Sequence, residues 1–153
     1  MKRYLIVLTL LLFGSLLEAQ QLNQNDATPV TWEIELEQLS DNEFMLTFIA
    51  NISNGWYIYS QHIEDEGPEP TTFIFNQNPS IELGSAVREF GEMKEMYDEV
   101  YQVKVKKYAD KVTFKTIVKV FELYTVLDGH IRFMSCESAG CLPPEEVPFE
   151  FRF

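Results

Sequence analysis

The sequence predicts an antiparallel β-sandwich, and three observations carry that reading. Apolar and polar residues alternate at a period of two along most of the chain. Gly, Pro and Asn punctuate the alternating segments, and no window of ten residues keeps a convincing helical stripe.

After a polar leader, Gln20 to Thr28, the residues Val30, Trp32, Ile34 and Leu36 alternate with Thr31, Glu33, Glu35 and Glu37, which sets one face of a strand toward a core. "FMLTFIANI" repeats the signal with Phe44, Leu46, Phe48 and Ala50 on one side. "WYIYS" (Trp56 to Ser60) and "TTFIF" (Thr71 to Phe75) follow as further short strands. Between them "IEDEGPEP" (Ile63 to Pro70) is acidic and proline-rich. It reads as a solvated connection, since its carboxylates lack the regular ligand spacing of a calcium loop. "SAVREFGEMKEMY" is the one rival for a helix; Gly91 interrupts its stripe, and it reads as a strand end and a loop. "YQVKVKKY" and "KVTFKTIVKV" are strands, the latter with Val112, Phe114, Thr116, Val118 and Val120 on one side and Lys115 and Lys119 on the other. "GHIRFMSC" and "VPFEFRF" close the chain. Eight or so strands at this spacing, without repeats or a linker, make one sandwich domain.

The first nineteen residues combine a basic start (Lys2, Arg3), an apolar run from Tyr4 to Phe13 and a small residue, Ala19, at the end. That is the pattern of a secretory signal peptide over residues 1–19, with cleavage after Ala19. A retained anchor is the alternative, but Gly14 and Ser15 break the run short of the roughly 20 residues a span needs. No cysteine stands at the cleavage point to carry a lipid. The domain proper is then 20–153, roughly 134 residues and enough to bury a core. Its formal net charge moves from −12 to −13 as Lys2, Arg3 and Glu18 leave. So acidic a domain repels phosphate backbones and anionic lipid heads, which argues against nucleic acid and membrane surfaces as partners.

The chain holds two cysteines, Cys136 and Cys141, in "CESAGCLPP". In an exported protein they are expected to be oxidised at least part of the time. As a staple the bridge is weak, since closing so short a loop contributes about 2 kcal/mol. As a metal clamp the pair is half a zinc site, with His130, His62 and Glu137 as the available completions; six strand residues put His130 roughly 20 Å from Cys136. As a redox pair it has what exchange requires, two neighbouring thiols with one in reach of a partner. Pro143 and Pro144 remove two backbone donors and keep Cys141 at a rim, while Ser138, Ala139 and Gly140 leave room for approach. Glu137, Glu145 and Glu146 surround the pair with no nearby Lys or Arg in sequence, so local charge does not activate the thiols. All three uses stay open on these residues alone.

"CESAGCLPPEEVPFEF" (Cys136 to Phe151), "NGWYIYSQ" (Asn54 to Gln61) and "GPEPTTFIF" (Gly67 to Phe75) together resemble, in the same chain order, the N-terminal periplasmic domain of DsbD-type thiol:disulfide interchange proteins. The resemblance implies an immunoglobulin-like β-sandwich in the periplasm that needs no cofactor. It implies that Cys136 and Cys141 are the redox pair, with Cys141 forming the mixed disulfide and Cys136 resolving it. Tyr57 and Tyr59 match tyrosines that lie beside the family's cysteines. The partners implied are a thioredoxin-like electron donor of a membrane thiol:disulfide reductase, and periplasmic disulfide isomerases or reductases as clients. A cap loop with an aromatic residue shields the family's dithiol; Phe90, with Tyr97 as second choice, is the candidate, although Val87 and Arg88 stand where acidic residues are expected at the cap's start. Neither the membrane carrier nor a thioredoxin-like domain follows Phe153, so a free-standing version is expected. The rival function is a non-catalytic binding module whose disulfide only locks a loop.

Overall fold

A computed structural model describes residues 28–63, 67–98 and 101–153. Residues 1–19, expected to be a signal peptide, and the middle of the acidic connection lie outside the described residues. Among the described residues there are eleven strands and no helix: β1 (Val30–Gln38), β2 (Glu43–Ile52), β3 (Tyr57–Tyr59), β4 (Thr72–Phe75), β5 (Ile81–Leu83), β6 (Arg88–Asp98), β7 (Val103–Val120), β8 (Val126–Phe133), β9 (Ser135–Glu137), β10 (Gly140–Cys141) and β11 (Glu145–Arg152).

They form two antiparallel sheets. The larger runs β1-β2-β7-β3-β9-β10, and β7 also pairs β5 and β6; the smaller runs β11-β8-β4. β7 organises the larger sheet. Its residues 107 and 108 pair with β3 and also with β6, and residues 112 to 115 pair with β2 and also with β6, so β2 and β3 share one edge while β5 and β6 share the other.

Two sequence expectations change here. "YQVKVKKY" and "KVTFKTIVKV" fuse into one strand of 18 residues. The join passes through Asp110, held in the left-handed region at φ 61°, where β7 exchanges β3 for β2 as its neighbour. The segment expected to be a strand end and a loop is instead β6, 11 residues long. Gly91 does not end it. The pairing with β7 shifts register between Gly91 and Met93, and a Cβ on Gly91 would come 3.1 Å from the Lys111 carbonyl oxygen and 3.2 Å from the Tyr108 ring. The missing side chain lets β6 pass close to β7 at a bulge.

Between the sheets lies an aromatic core. Phe48 is fully buried, with the rings of Phe73, Phe75, Phe149 and Phe151 at 4.9 to 6.3 Å, centroid to centroid. Trp32 packs on Phe73, Phe114 and Phe133. The alternation in β2 and β7 delivers these residues as expected: Phe44, Leu46, Phe48 and Ala50 face inward, as do Val112, Phe114, Thr116, Val118 and Val120. β1 follows the pattern only in its first half. Val30 is buried and Trp32 half-buried, whereas Ile34 and Leu36 are 43% and 39% exposed, because β1 is an edge strand paired to β2 alone.

A second, smaller cluster matters more for function. Ile58 and Tyr108 belong to the main core, whereas Tyr59, Val105 and Cys136 pack together with Tyr57, Ile63, Val103 and Met134 around them. Successive strand residues point to opposite faces. This cluster therefore lies on the outer face of the larger sheet.

Candidate dithiol site

β9 and β10 form a minimal hairpin in which Cys141 stands directly across from Cys136 and Gly140 across from Glu137. Ser138 and Ala139 make the turn, and Gly140 adopts φ 149°, a conformation that favours a residue without Cβ. Leu142 donates its amide to the Ser135 carbonyl at 2.9 Å, beyond the bridge. The two sulfurs are joined in a disulfide. Only five positions separate the two cysteines in sequence, so the bridge removes little loop entropy from the unfolded chain.

The two cysteines differ in access. Cys136 has no exposed surface, whereas Cys141 is exposed. Cys136 is buried because its other neighbour in the sheet is β3, where it pairs with Tyr57. Tyr57 and Tyr59, two residues apart, share the face that carries the sulfurs, and their rings meet edge to face at 5.6 Å.

Tyr59 is the hub. It is 1% exposed, and its hydroxyl oxygen lies 3.5 Å from the Cys136 sulfur, 3.9 Å from the Cys141 sulfur and 3.5 Å from Oδ2 of Asp98. A disulfide sulfur carries no proton, so in any hydrogen bond to these sulfurs the phenol is the donor. Burial, first, and then the neighbouring Tyr57 hydroxyl and the Asp98 charge hold the Tyr59 phenol well above its ordinary range. The hydroxyl keeps its proton at any physiological pH. The site therefore places one retained proton between a carboxylate and two sulfurs.

The family model for the N-terminal part of the thiol:disulfide interchange protein DsbD matches residues 19–152. The chain belongs to this DsbD N-terminal family. Nine chains of solved structure match it. One is the reduced DsbD N-terminal domain of Neisseria meningitidis, at 15% identity and TM-score 0.51, with 80% of this chain and 85% of that one covered. Another is the N-terminal periplasmic domain of ScsB from Proteus mirabilis, at 12% identity and TM-score 0.61; the match covers 83% of this chain and 47% of that one, so the present chain spans about half its length. At such identity the likeness is one of fold, the immunoglobulin-like sandwich. No curated protein sequence matches the chain.

Within this DsbD N-terminal sandwich, the residues named from sequence do not all meet. Cys136, Cys141, Tyr57 and Tyr59 converge, but Phe90 does not. It sits on β6 opposite Thr113, 48% exposed, with the Arg88 guanidinium 5.8 Å from its ring centroid. Asp98, which touches Tyr59, is eight residues further along the same strand, roughly 26 Å at the strand rise. Tyr97 is 57% exposed and, as the neighbour of Asp98, points to the opposite face. Asp98 stands ten residues beyond Arg88 in the sequence. It also accepts the Tyr101 amide at 3.1 Å, closing the turn out of β6. His130 stands in the smaller sheet across from Ile74 and Pro148, with Glu146 at 3.9 Å, and His62 is exposed beyond the end of β3.

Two neighbours of the tyrosine–sulfur cluster escape a linear reading, Asp98 and Lys107. Lys107 pairs with Tyr59 across β3 and β7, and its Nζ lies 3.6 Å from the centroid of the Tyr57 ring. The clue in the sequence was "VKVKKY", where Val103, Val105 and Lys107 share the face opposite Tyr108.

Proposed function

We propose that this protein is a periplasmic thiol:disulfide relay working through Cys136 and Cys141. The observation that carries this reading is the asymmetry of the pair: one sulfur exposed, its partner buried, both beside a phenol that retains its proton. A staple needs no such asymmetry. Exchange does, because the attacking thiol must be reachable while the resolving thiol is sheltered from other electrophiles.

In the reduced protein the Cys141 thiolate attacks one sulfur of a client disulfide. A Cys141–client bond forms, the client bond breaks, and the client's second sulfur leaves as a thiolate that takes a proton. Cys136 then attacks Cys141, restoring the bridge and expelling the client's first sulfur, so two electrons and two protons pass to the client. A dithiol donor recharges the pair by the same steps in reverse. Tyr59 supports both directions by offering its hydroxyl proton to whichever sulfur carries negative charge. The partners proposed are a thioredoxin-like donor fed by a membrane reductase, and periplasmic disulfide isomerases or reductases as clients. The exposed Cys141 and the narrow two-residue turn beside it suit such docking. Periplasmic placement rests on the signal-like residues 1–19 and on the periplasmic domain of the ScsB relative.

The deciding measurement is the reduction potential of the Cys136–Cys141 pair, by equilibrating the purified protein in graded dithiol buffers and trapping free thiols by alkylation. A value of roughly −270 to −120 mV, the span of exchange proteins, is expected. A bond resistant below about −300 mV would make the disulfide structural and the relay untenable.

A further inference from the structure

The outer face of the larger sheet carries a row that the dithiol alone does not explain. Lys94 of β6 stands directly across from Lys107 of β7, which stands directly across from Tyr59 of β3. In a chain of 12 basic against 24 acidic residues, Lys107 thus brings a positive charge into the row that leads to the tyrosines beside the sulfurs. Lys107 is also half-buried, and its ammonium group rests on Tyr57, the residue paired with Cys136. Asp98 stands across from Val103, which lies four residues from Lys107 on the same face of β7, so lysine and carboxylate share one face of neighbouring strands. Burial first, and Lys94, hold the Lys107 pKa below its ordinary value, while Asp98 pulls it up.

The groups facing the sulfurs or their immediate neighbours are Tyr57 and Tyr59 from β3, Lys107 from β7, and Lys94 and Asp98 from β6. Tyr101 follows β6, and Glu137 flanks Cys136 in sequence. Among them the Tyr59 proton has competing acceptors, the Asp98 carboxylate and the sulfurs. When Asp98 holds it, the phenol turns only lone pairs toward a thiolate, which repels it. A cation that satisfies Asp98 releases that proton to sulfur.

We propose that Lys107 is a positioning residue for the exchange reaction: seated on Tyr57, it offsets the Asp98 charge so that the Tyr59 hydroxyl can serve the Cys141 thiolate. The proposal rests on the relay reading above and assigns the activating charge that the sequence around the cysteines lacks. It makes Cys141 a better attacking and leaving sulfur than its acidic flanks would allow.

The test is the pH–rate profile of Cys141 alkylation by iodoacetamide, followed by peptide mass mapping on the full chain after complete reduction with a phosphine. Lys107→Met is expected to slow alkylation at pH 7 about tenfold, the effect of about one unit on the thiol. Lys107→Arg should restore most of the rate. In an Asp98→Asn background the Lys107→Met effect should shrink to less than about twofold, because the charge to be offset is gone. An unchanged profile in Lys107→Met, or equal slowing in Lys107→Arg, would overturn the proposal, and so would an effect undiminished by Asp98→Asn. Should Lys107→Met fail to fold, Lys107→Gln carries the same comparison. Because reduction is forced, the profile is read whatever the potential of the disulfide, so failure of this inference and failure of the relay reading are separate results.

Discussion

The sandwich contains two clusters of buried side chains on opposite faces of one sheet, and they are built from different chemistry. The cluster between the sheets is almost wholly apolar: Phe48, Phe114, Phe133, Leu46 and Ile131 have no exposed surface, and the rings interlock edge to face. The outer cluster is small, only Tyr59, Val105 and Cys136 being fully buried, and it contains a phenol, a sulfur and the fringe of a carboxylate. The first contributes stability in proportion to area removed from water. The second buries little and holds polar groups at fixed distances. Stability and exchange chemistry are thereby separated by the thickness of a single sheet, and substitutions on one face should leave the property of the other face nearly intact.

The largest break of that comparison is Cys141→Ser. Loss of the attacking sulfur should abolish mixed-disulfide formation with a thioredoxin-like partner, while the melting temperature falls by less than about 10 °C, in keeping with the small contribution of so short a bridge. Gel-trapped complexes and thermal unfolding together check this; a trapped complex formed through Cys136 instead would reverse the assigned roles. Phe48→Ala comes next. It should cost about 3 to 5 kcal/mol in denaturant unfolding, with the reduction potential of whatever remains folded unmoved. A shifted potential would mean that the two faces communicate.

A smaller effect compares one tyrosine from each cluster. Tyr59 and Tyr108 are both buried, and burial is the first cause that raises the pKa of each, with Glu89 adding to Tyr108. A phenol whose folded pKa exceeds its unfolded value of about 10 contributes stability that is whole below pH 10 and lost as pH climbs toward the folded value. Stability should therefore hold level to about pH 9 and then fall by up to about 1.4 kcal/mol per pH unit for each tyrosine. Tyr59→Phe and Tyr108→Phe should each remove one share of the slope in urea titrations at pH 9 to 11. An unaltered slope in either variant would show that its phenol ionises freely in the folded state.

The smallest expected effect is that of Phe90→Ala. On the exposed side of β6 and far along the strand from Asp98, it should change neither Cys141 alkylation nor, beyond about 1 kcal/mol, stability. Faster alkylation in this variant would restore Phe90 as a shield of the dithiol.

Much of this was legible in the chain. The period-two alternation from Val30 to Phe153 determined the all-β class, because strand side chains alternate faces whatever they pair with, and the inward residues of β2 and β7 were readable one by one. The cysteine pair was legible too, since five residues of separation and two following prolines are local facts. Gly91 misled for a physical reason: a glycine weakens a strand in general, but here the Tyr108 ring and the Lys111 carbonyl occupy the space a side chain would need, and only the neighbouring strand reveals that. Tertiary structure alone decided what surrounds the sulfurs. Asp98 reaches Tyr59 from 39 residues away, and Lys107 meets Tyr57 because register aligns β6, β7, β3 and β9 in rows. Register is a property of paired strands, so no segment carries it by itself.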